Sequence, residues 1–187
     1  MKNIKYAVVD IETTGLDCYK HEIIEIAIVT ESERYHVKVR PERLEYADSK
    51  ALEINGYNPK DWSGAIRGCD VAMKTARILE GCTIIGHNPS FDMGFLRELW
   101  DLYNCNPYID RRYIDTVVLA REHLPFCRSY SLDSIRLYLG WSKIGSHSAL
   151  VDCEDTERLF FLLWRCTWWK RQYFFFRYKL ASWLGRS

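Results

Sequence analysis

Ile4-Lys5-Tyr6-Ala7-Val8-Val9-Asp10-Ile11-Glu12-Thr13-Thr14-Gly15-Leu16-Asp17 is an apolar, β-branched run that ends on two acids and is broken by Gly15-Leu16-Asp17. Its length and composition predict a central strand. Asp10 and Glu12 stand two apart at the strand's end, so their side chains point to one face. Two like charges so close raise each other's pKa unless a cation lies between them. Mg²⁺ or Mn²⁺ is the ion that such oxygen ligands select. Taken alone, the pair also reads as two solvated carboxylates, because Asp-x-Glu is a common spacing.

Outward from this strand, residues 22–30 (Glu-Ile-Ile-Glu-Ile-Ala-Ile-Val-Thr) read as a second strand. Residues 33–40 alternate, Tyr35, Val37 and Val39 against His36, Lys38 and Arg40, as a half-exposed third strand ending at Pro41. Short links between the three predict an antiparallel meander. A short helix is expected over 49–55, and a clearer one over 70–80 with Val71, Ala72, Ala76, Ile78 and Leu79 at helical spacing. Thr83-Ile84-Ile85 reads as a brief buried strand. Asn88-Pro89 then reads as an N-cap with proline at the first helical position, opening a helix to about Tyr103. Phe91, Phe95, Leu96 and Leu99 are its expected inward face. Further helices are expected over 116–124, over 131–139 and from about Leu150 onward. Strands first and strand–helix alternation afterwards predict an α/β domain with a mixed sheet.

Three more residues carry chemistry. Asp92 lies about one turn into the helix after the short strand, at the sheet edge where strand-end acids collect. Stabilising the helix dipole would also account for it. His147, in Gly145-Ser146-His147-Ser148, precedes the helix whose first turn holds Asp152, with small Ala149 allowing close approach. A loop histidine titrating near neutrality suits a general base that takes a proton from water. An exposed loop histidine followed by a helix-start aspartate is the plainer alternative. Together, Asp10, Glu12, Asp92, His147 and Asp152 make the inventory of a metal-dependent nuclease. Two cations about 4 Å apart activate water and stabilise the attacking and leaving oxygens of a phosphodiester, given several carboxylates and a base.

These segments resemble the DEDDh, or DnaQ-like, 3′→5′ exonucleases, the family that includes the proofreading subunits of bacterial replicative polymerases. Val8-Val9-Asp10-Ile11-Glu12-Thr13-Thr14-Gly15-Leu16 matches the first family motif and Gly86-His87-Asn88-Pro89-Ser90-Phe91-Asp92 the second. His147-x-Ala149-x-x-Asp152 matches the third in its histidine form. Residues 51–56 and 113–116 are further landmarks, and the likeness spans about residues 4–165. It implies an RNase H-like fold, a mixed five-stranded sheet flanked by helices, and release of nucleoside 5′-monophosphates from a 3′ end. It also implies two divalent ions, Mg²⁺ or Mn²⁺. Asp10 would bridge both, Glu12 and Asp152 would complete the first site, Asp92 would support the second, and His147 would be the general base. Thr13, Thr14 and Leu16 would contact or wedge the terminal nucleotide, with His87, Asn88 and Phe91 lining the same cleft.

The whole-chain properties bound these readings. A length of 187 residues predicts one domain, and a net charge of +1 gives no global field for nucleic acid, leaving binding to a local patch or to metal ions. The seven cysteines form no Cys-x-x-Cys pair, and the first residues carry no signal-like apolar stretch; free thiols in a reducing cytoplasm are expected. From Arg158 to Ser187 there are seven Lys/Arg, eleven aromatics and no acid. The exonuclease domain is expected over 1–171, and residues 172–187 form a basic aromatic tail. Its interrupting charges argue against a membrane-spanning helix. Such a tail suits stacking on single-stranded bases, a protein partner (a polymerase or, from its glutamine-led start, a sliding clamp) or a membrane interface. The first motif favours single-stranded DNA as substrate. An RNA-directed exoribonuclease, or a recruitment module acting through the tail, is the alternative.

Overall fold

The computed structural model describes residues 5–109, 113–142 and 148–164. Strands β1 (Tyr6–Thr13), β2 (Ile23–Thr30) and β3 (Arg34–Lys38) form the expected meander, each pair antiparallel. Helices α1 (Ser49–Ile54) and α2 (Gly68–Leu79) follow, then strand β4 (Thr83–Gly86) and helix α3 (Pro89–Leu102). The two-residue strand β5 (Ile114–Asp115) leads straight into α4 (Thr116–His123), and α5 (Leu132–Leu139) and α6 (Ala149–Trp164) complete the described chain. The sheet order is β3-β2-β1-β4-β5, with β4 parallel to β1 and β5 parallel to β4. The sheet is therefore mixed and five-stranded, with β1 at its centre, as the resemblance implied.

Period-two alternation along β1 divides the core. Ala7, Val9 and Ile11 join Ile26 and Ile28 on the face covered by α2 and α3, where Val71, Leu79, Leu96 and Trp100 pack. Val8 faces the other way, with Ala27, Val29 and Ile85, against Ala149, Cys153 and Phe160 of α6. Asp10 and Glu12 continue the Val8 face, so the strand aims both acids at α6. Small Ala149 and Cys153, both fully buried, let that helix lie close across β1 and β2. A third cluster, with Ala120, Leu124, Ile135 and Leu159 at its centre, binds α4 and α5 to α6.

Three local details differ from expectation. The third strand is shorter at both ends than the expected 33–40. Asn88 does precede α3, but in the left-handed region (φ 72°), and its side chain caps no helix N–H. Its Oδ1 instead accepts from the Ser90 hydroxyl at 3.0 Å; Asn tolerates this backbone better than most residues. Phe91 and Leu99 are only partly buried, packed against the edge of the core, whereas Phe95 and Leu96 lie inside it. The motif residue His147, the expected domain boundary at 171/172 and the tail 172–187 lie outside the described residues. No helix among the described residues is long and apolar enough to cross a membrane.

Candidate active site

Three of the acids expected from sequence meet. One carboxylate oxygen from each of Asp10, Glu12 and Asp152 lies within 4.8 Å of the others, all three side chains partly buried. Asp10 and Glu12 come from β1, and Asp152 from the first turn of α6. Asp92 adjoins them, 5% exposed, from the first turn of α3. Its Oδ1 accepts the Ile11 backbone N–H at 3.1 Å, which ties the start of α3 to the strand between the two acids. Gly86 makes that approach feasible. A Cβ there would stand 2.7 Å from Cβ of Pro89, so any side chain would push α3 away from the end of β4.

The electrostatics follow from this crowding. Burial, then repulsion from Asp92, Asp152 and Glu12, holds the Asp10 carboxyl well above the usual carboxylate range, against a smaller opposite pull from Arg136. Burial, then Asp152, Glu25 and Asp92, pushes Glu12 up to about 8. Burial raises Asp92 to about 7 despite the Ile11 hydrogen bond. Without a cation, this group cannot all be ionised at neutral pH. Clustered carboxylate oxygens that hold protons for want of a positive charge fit a hard divalent ion. The residues present therefore suit Mg²⁺ or Mn²⁺.

Beneath the acids lies Cys153, fully buried, its Sγ donating to the carbonyls of Ala27 at 3.3 Å and Val8 at 3.5 Å. Burial first, and the charges of Asp10, Asp92 and Asp152 next, drive its thiol pKa far up.

The expected substrate-contacting residues separate by what their polar atoms do. Leu16 projects at 84% exposure. Thr13 and Thr14 are buried, and their hydroxyls shape the loop that carries it. Thr13 Oγ1 donates to the Gly15 carbonyl, and Thr14 Oγ1 accepts the Glu22 N–H. The landmark at 51–56 acts here too: Asn55 Nδ2 donates to the Thr13 carbonyl, and the Asp48 N–H to that of Thr14. His87 has both ring nitrogens engaged, Nε2 with the Tyr130 carbonyl at 2.7 Å and Nδ1 with Thr116 Oγ1 at 2.9 Å. A carbonyl only accepts, so Nε2 carries a proton. Burial lowers the His87 pKa and favours the neutral ring. The ring thus braces β4 against α4 and the segment before α5. Asn88 is exposed and Phe91 half-buried at the start of α3.

Two residues absent from the sequence reading bear on the site. Glu25, 6% exposed, stands opposite Glu12 across the β1–β2 ladder. Its Oε1 accepts the Ala149 N–H at 3.1 Å and meets His36 Nε2 at 2.8 Å, latching the start of α6 to β2. Its signal was a lone acid inside an otherwise apolar strand. Arg136 on α5 is 1% exposed and pairs with Asp152. Its signal was weaker, a cation on the same helical stripe as Leu132, Ile135 and Leu139.

An acid cluster at the strand ends of a mixed sheet with this order defines the class, a nuclease built on an RNase H-like fold. The exonuclease family model (RNase T type) matches residues 7–160. Similar curated proteins include the PolC-type DNA polymerase III of Thermotoga petrophila, 35% identical over 164 residues, which cover 85% of this chain and 12% of that protein. The PolC-type polymerase of Thermotoga maritima is 36% identical over 160 residues, covering 83% and 11%. The chain thus spans about an eighth of the length of these relatives. Among solved structures, E. coli exonuclease I in complex with a dT13 oligonucleotide superposes with a TM-score of 0.77 at 18% identity, covering 94% of this chain and 43% of that one. The chain belongs to the DnaQ-like 3′→5′ exonuclease family.

Proposed function

We propose that this domain hydrolyses the terminal phosphodiester at the 3′ end of single-stranded DNA and releases a nucleoside 5′-monophosphate, in the manner of a proofreading nuclease. The observation that carries the reading is the convergence of Asp10, Glu12 and Asp152 within 4.8 Å, with buried Asp92 beside them. Asp10, Glu12 and Asp152 would hold one divalent ion, and Asp10 with Asp92 a second. Bound there, the ions would lower the pKa of water and offset charge on the phosphodiester oxygens. His147, placed just before α6 in sequence, would take the proton from the attacking water. Its replacement by alanine should then slow turnover well before it weakens Mn²⁺ binding. Leu16 would pack against the terminal base from the exposed tip of its loop, and Asn88 and Phe91 would border the same cleft. DNA as substrate draws support from the DNA polymerase relatives and from the exonuclease I complex with dT13.

Digesting 3′-labelled DNA and RNA, single- and double-stranded, with Mg²⁺, Mn²⁺ or chelator tests the reading. Labelled mononucleotide should appear first from single-stranded DNA, and only with metal. Equal release in chelator, or internal cleavage, would overturn it, and faster release from RNA would move the substrate to RNA.

The loop makes a second, more local prediction. A Cβ at Gly15 would stand 2.5 Å from Nε2 of His21, whose Nδ1 accepts the Asp17 N–H at 3.0 Å. Gly15→Ala should therefore displace Leu16 and raise KM for single strands by about tenfold while kcat changes little, the size of one lost apolar contact. A steady-state comparison that finds kcat reduced and KM unchanged would contradict this use of Leu16.

A further inference from the structure

Arg136 is among the largest fully buried side chains, and it sits where α5 meets α6. A guanidinium taken out of water is destabilising unless its donors are matched. Here each nitrogen meets a different carboxylate. Nε donates to Oδ2 of Asp155 at 2.7 Å, Nη1 to Oδ1 of Asp133 at 3.0 Å and Nη2 to Oδ1 of Asp152 at 2.7 Å. Asp133 lies one turn back on α5, and Asp155 on α6, so those two bonds already tie helix to helix. The third reaches into the acid cluster. Asp152 is at once a partner of the fork and a member of the group that gathers with Asp10 and Glu12. A carboxylate offers about four lone-pair positions over two oxygens, so it can accept from a guanidinium and ligate a cation together.

We infer that Arg136 is a positioning residue for the metal centre, holding the Asp152 carboxylate in one orientation toward Asp10 and Glu12 so that a divalent cation meets a preset ligand. This rests on the metal-dependent reading proposed above. The planar fork is what performs the task, since it fixes three acceptors at set angles, and an ammonium is a point charge that cannot. Charge and geometry here act with opposite signs. By charge alone, Arg136 repels a nearby cation, and removing it would tighten metal binding. By geometry, losing the fork frees the Asp152 side chain and weakens binding.

That opposition supplies the test. Mn²⁺ is titrated into wild type, Arg136→Lys and Arg136→Met, with free Mn²⁺ read by electron paramagnetic resonance. Both variants are expected to bind about tenfold more weakly or worse, the usual loss when a ligand's supporting partner is removed. Kinetics should show kcat reduced with KM for the strand little changed. Unchanged or tighter Mn²⁺ binding in the variants, with wild type binding normally, overturns the inference and leaves the exonuclease reading intact. Wild type that binds Mn²⁺ no better than Asp10→Asn overturns both. Should the variants fail to fold, the wild-type protein still decides. Nitrogen NMR of the buried Arg136 Nη groups should shift on Mg²⁺ saturation in wild type and stay still in Asp10→Asn; no shift in wild type refutes the coupling.

Discussion

Asp10→Asn is expected to abolish strand digestion, by about a thousandfold or more, and at the same time to yield a metal-free protein that melts higher than wild type at pH 8. The two effects have one cause. Asp10 sits on the central strand with Asp92, Asp152 and Glu12 around it, and burial with their repulsion drives its carboxyl far above the usual range. An amide of the same shape keeps the packing and is neutral without taking up a proton at pH 8, so the apo fold gains. The same change removes a ligand proposed to serve both cations, and their stabilisation of transition-state charge is worth several kcal/mol. Melting in chelator and release of 3′ label, measured on one preparation, check both halves. A variant that digests at the wild-type rate, or one that melts lower in chelator, would show that Asp10 is not held against repulsion at a metal centre.

The second expectation concerns pH. Glu12 and Asp92 are raised to about 8 and about 7, chiefly by burial, and Asp10 is raised as well. A carboxyl whose folded-state pKa exceeds its unfolded value of roughly 4 binds its proton more tightly when folded. Its contribution to stability is complete below about pH 4 and is lost as pH rises through the folded value. Metal-free protein should therefore lose stability between about pH 4 and pH 8. His87 works the other way, because burial lowers its pKa and stability is regained as pH rises through its lowered value toward about 6.5. One histidine opposes three acids, so the acids set the slope. Allowing for solvent screening at a cleft that is partly open, the loss is on the order of a few kcal/mol, or about 5–10 °C in Tm for a chain of this size. On the proposed reading Mg²⁺ would bind the ionised acids, so its stabilising effect should grow over the same range. Melting curves from pH 5 to 8.5, with Mg²⁺ and with chelator, read this directly. A chelator curve that is flat or rises would refute the electrostatic account, and Asp10→Asn should flatten it partway.

Both expectations begin at residues whose placement follows from short-range rules. The period of a strand puts Val8, Asp10 and Glu12 on one face, and the first turns of α3 and α6 carry Asp92 and Asp152 to the same sheet edge. The ends expected at 55 and 80 fall within a residue of those of α1 and α2, and the positive φ of Gly56 and Gly81 just beyond them stops each helix. What stayed hidden depends on partners far away in the chain. β5 has two residues and no periodicity of its own; its place comes from parallel pairing of Ile85 with Ile114. Glu25 reads as an ordinary strand acid until α6 presents the Ala149 N–H across 124 residues. Arg136 lies on the apolar stripe of its helix without a visible reason until Asp152 and Asp155 arrive from the next helix. Asn88 has the composition of a side-chain cap, yet backbone strain at the turn, rather than capping, sets its role.

Cys153 turns the interior of this domain into a clock. Its sulfur is pinned between the carbonyls of two strands beneath the acids, and burial with their charge disfavours the thiolate that alkylating reagents require. Alkylation there needs an opening that parts α6 from β1 and β2, and because Asp152 rides on the first turn of α6 such an opening would also draw it away from Asp10 and Glu12. The labelling rate at this one atom therefore counts openings of the acid site itself, independently of any substrate, and a bound cation that joins strand to helix would slow the count.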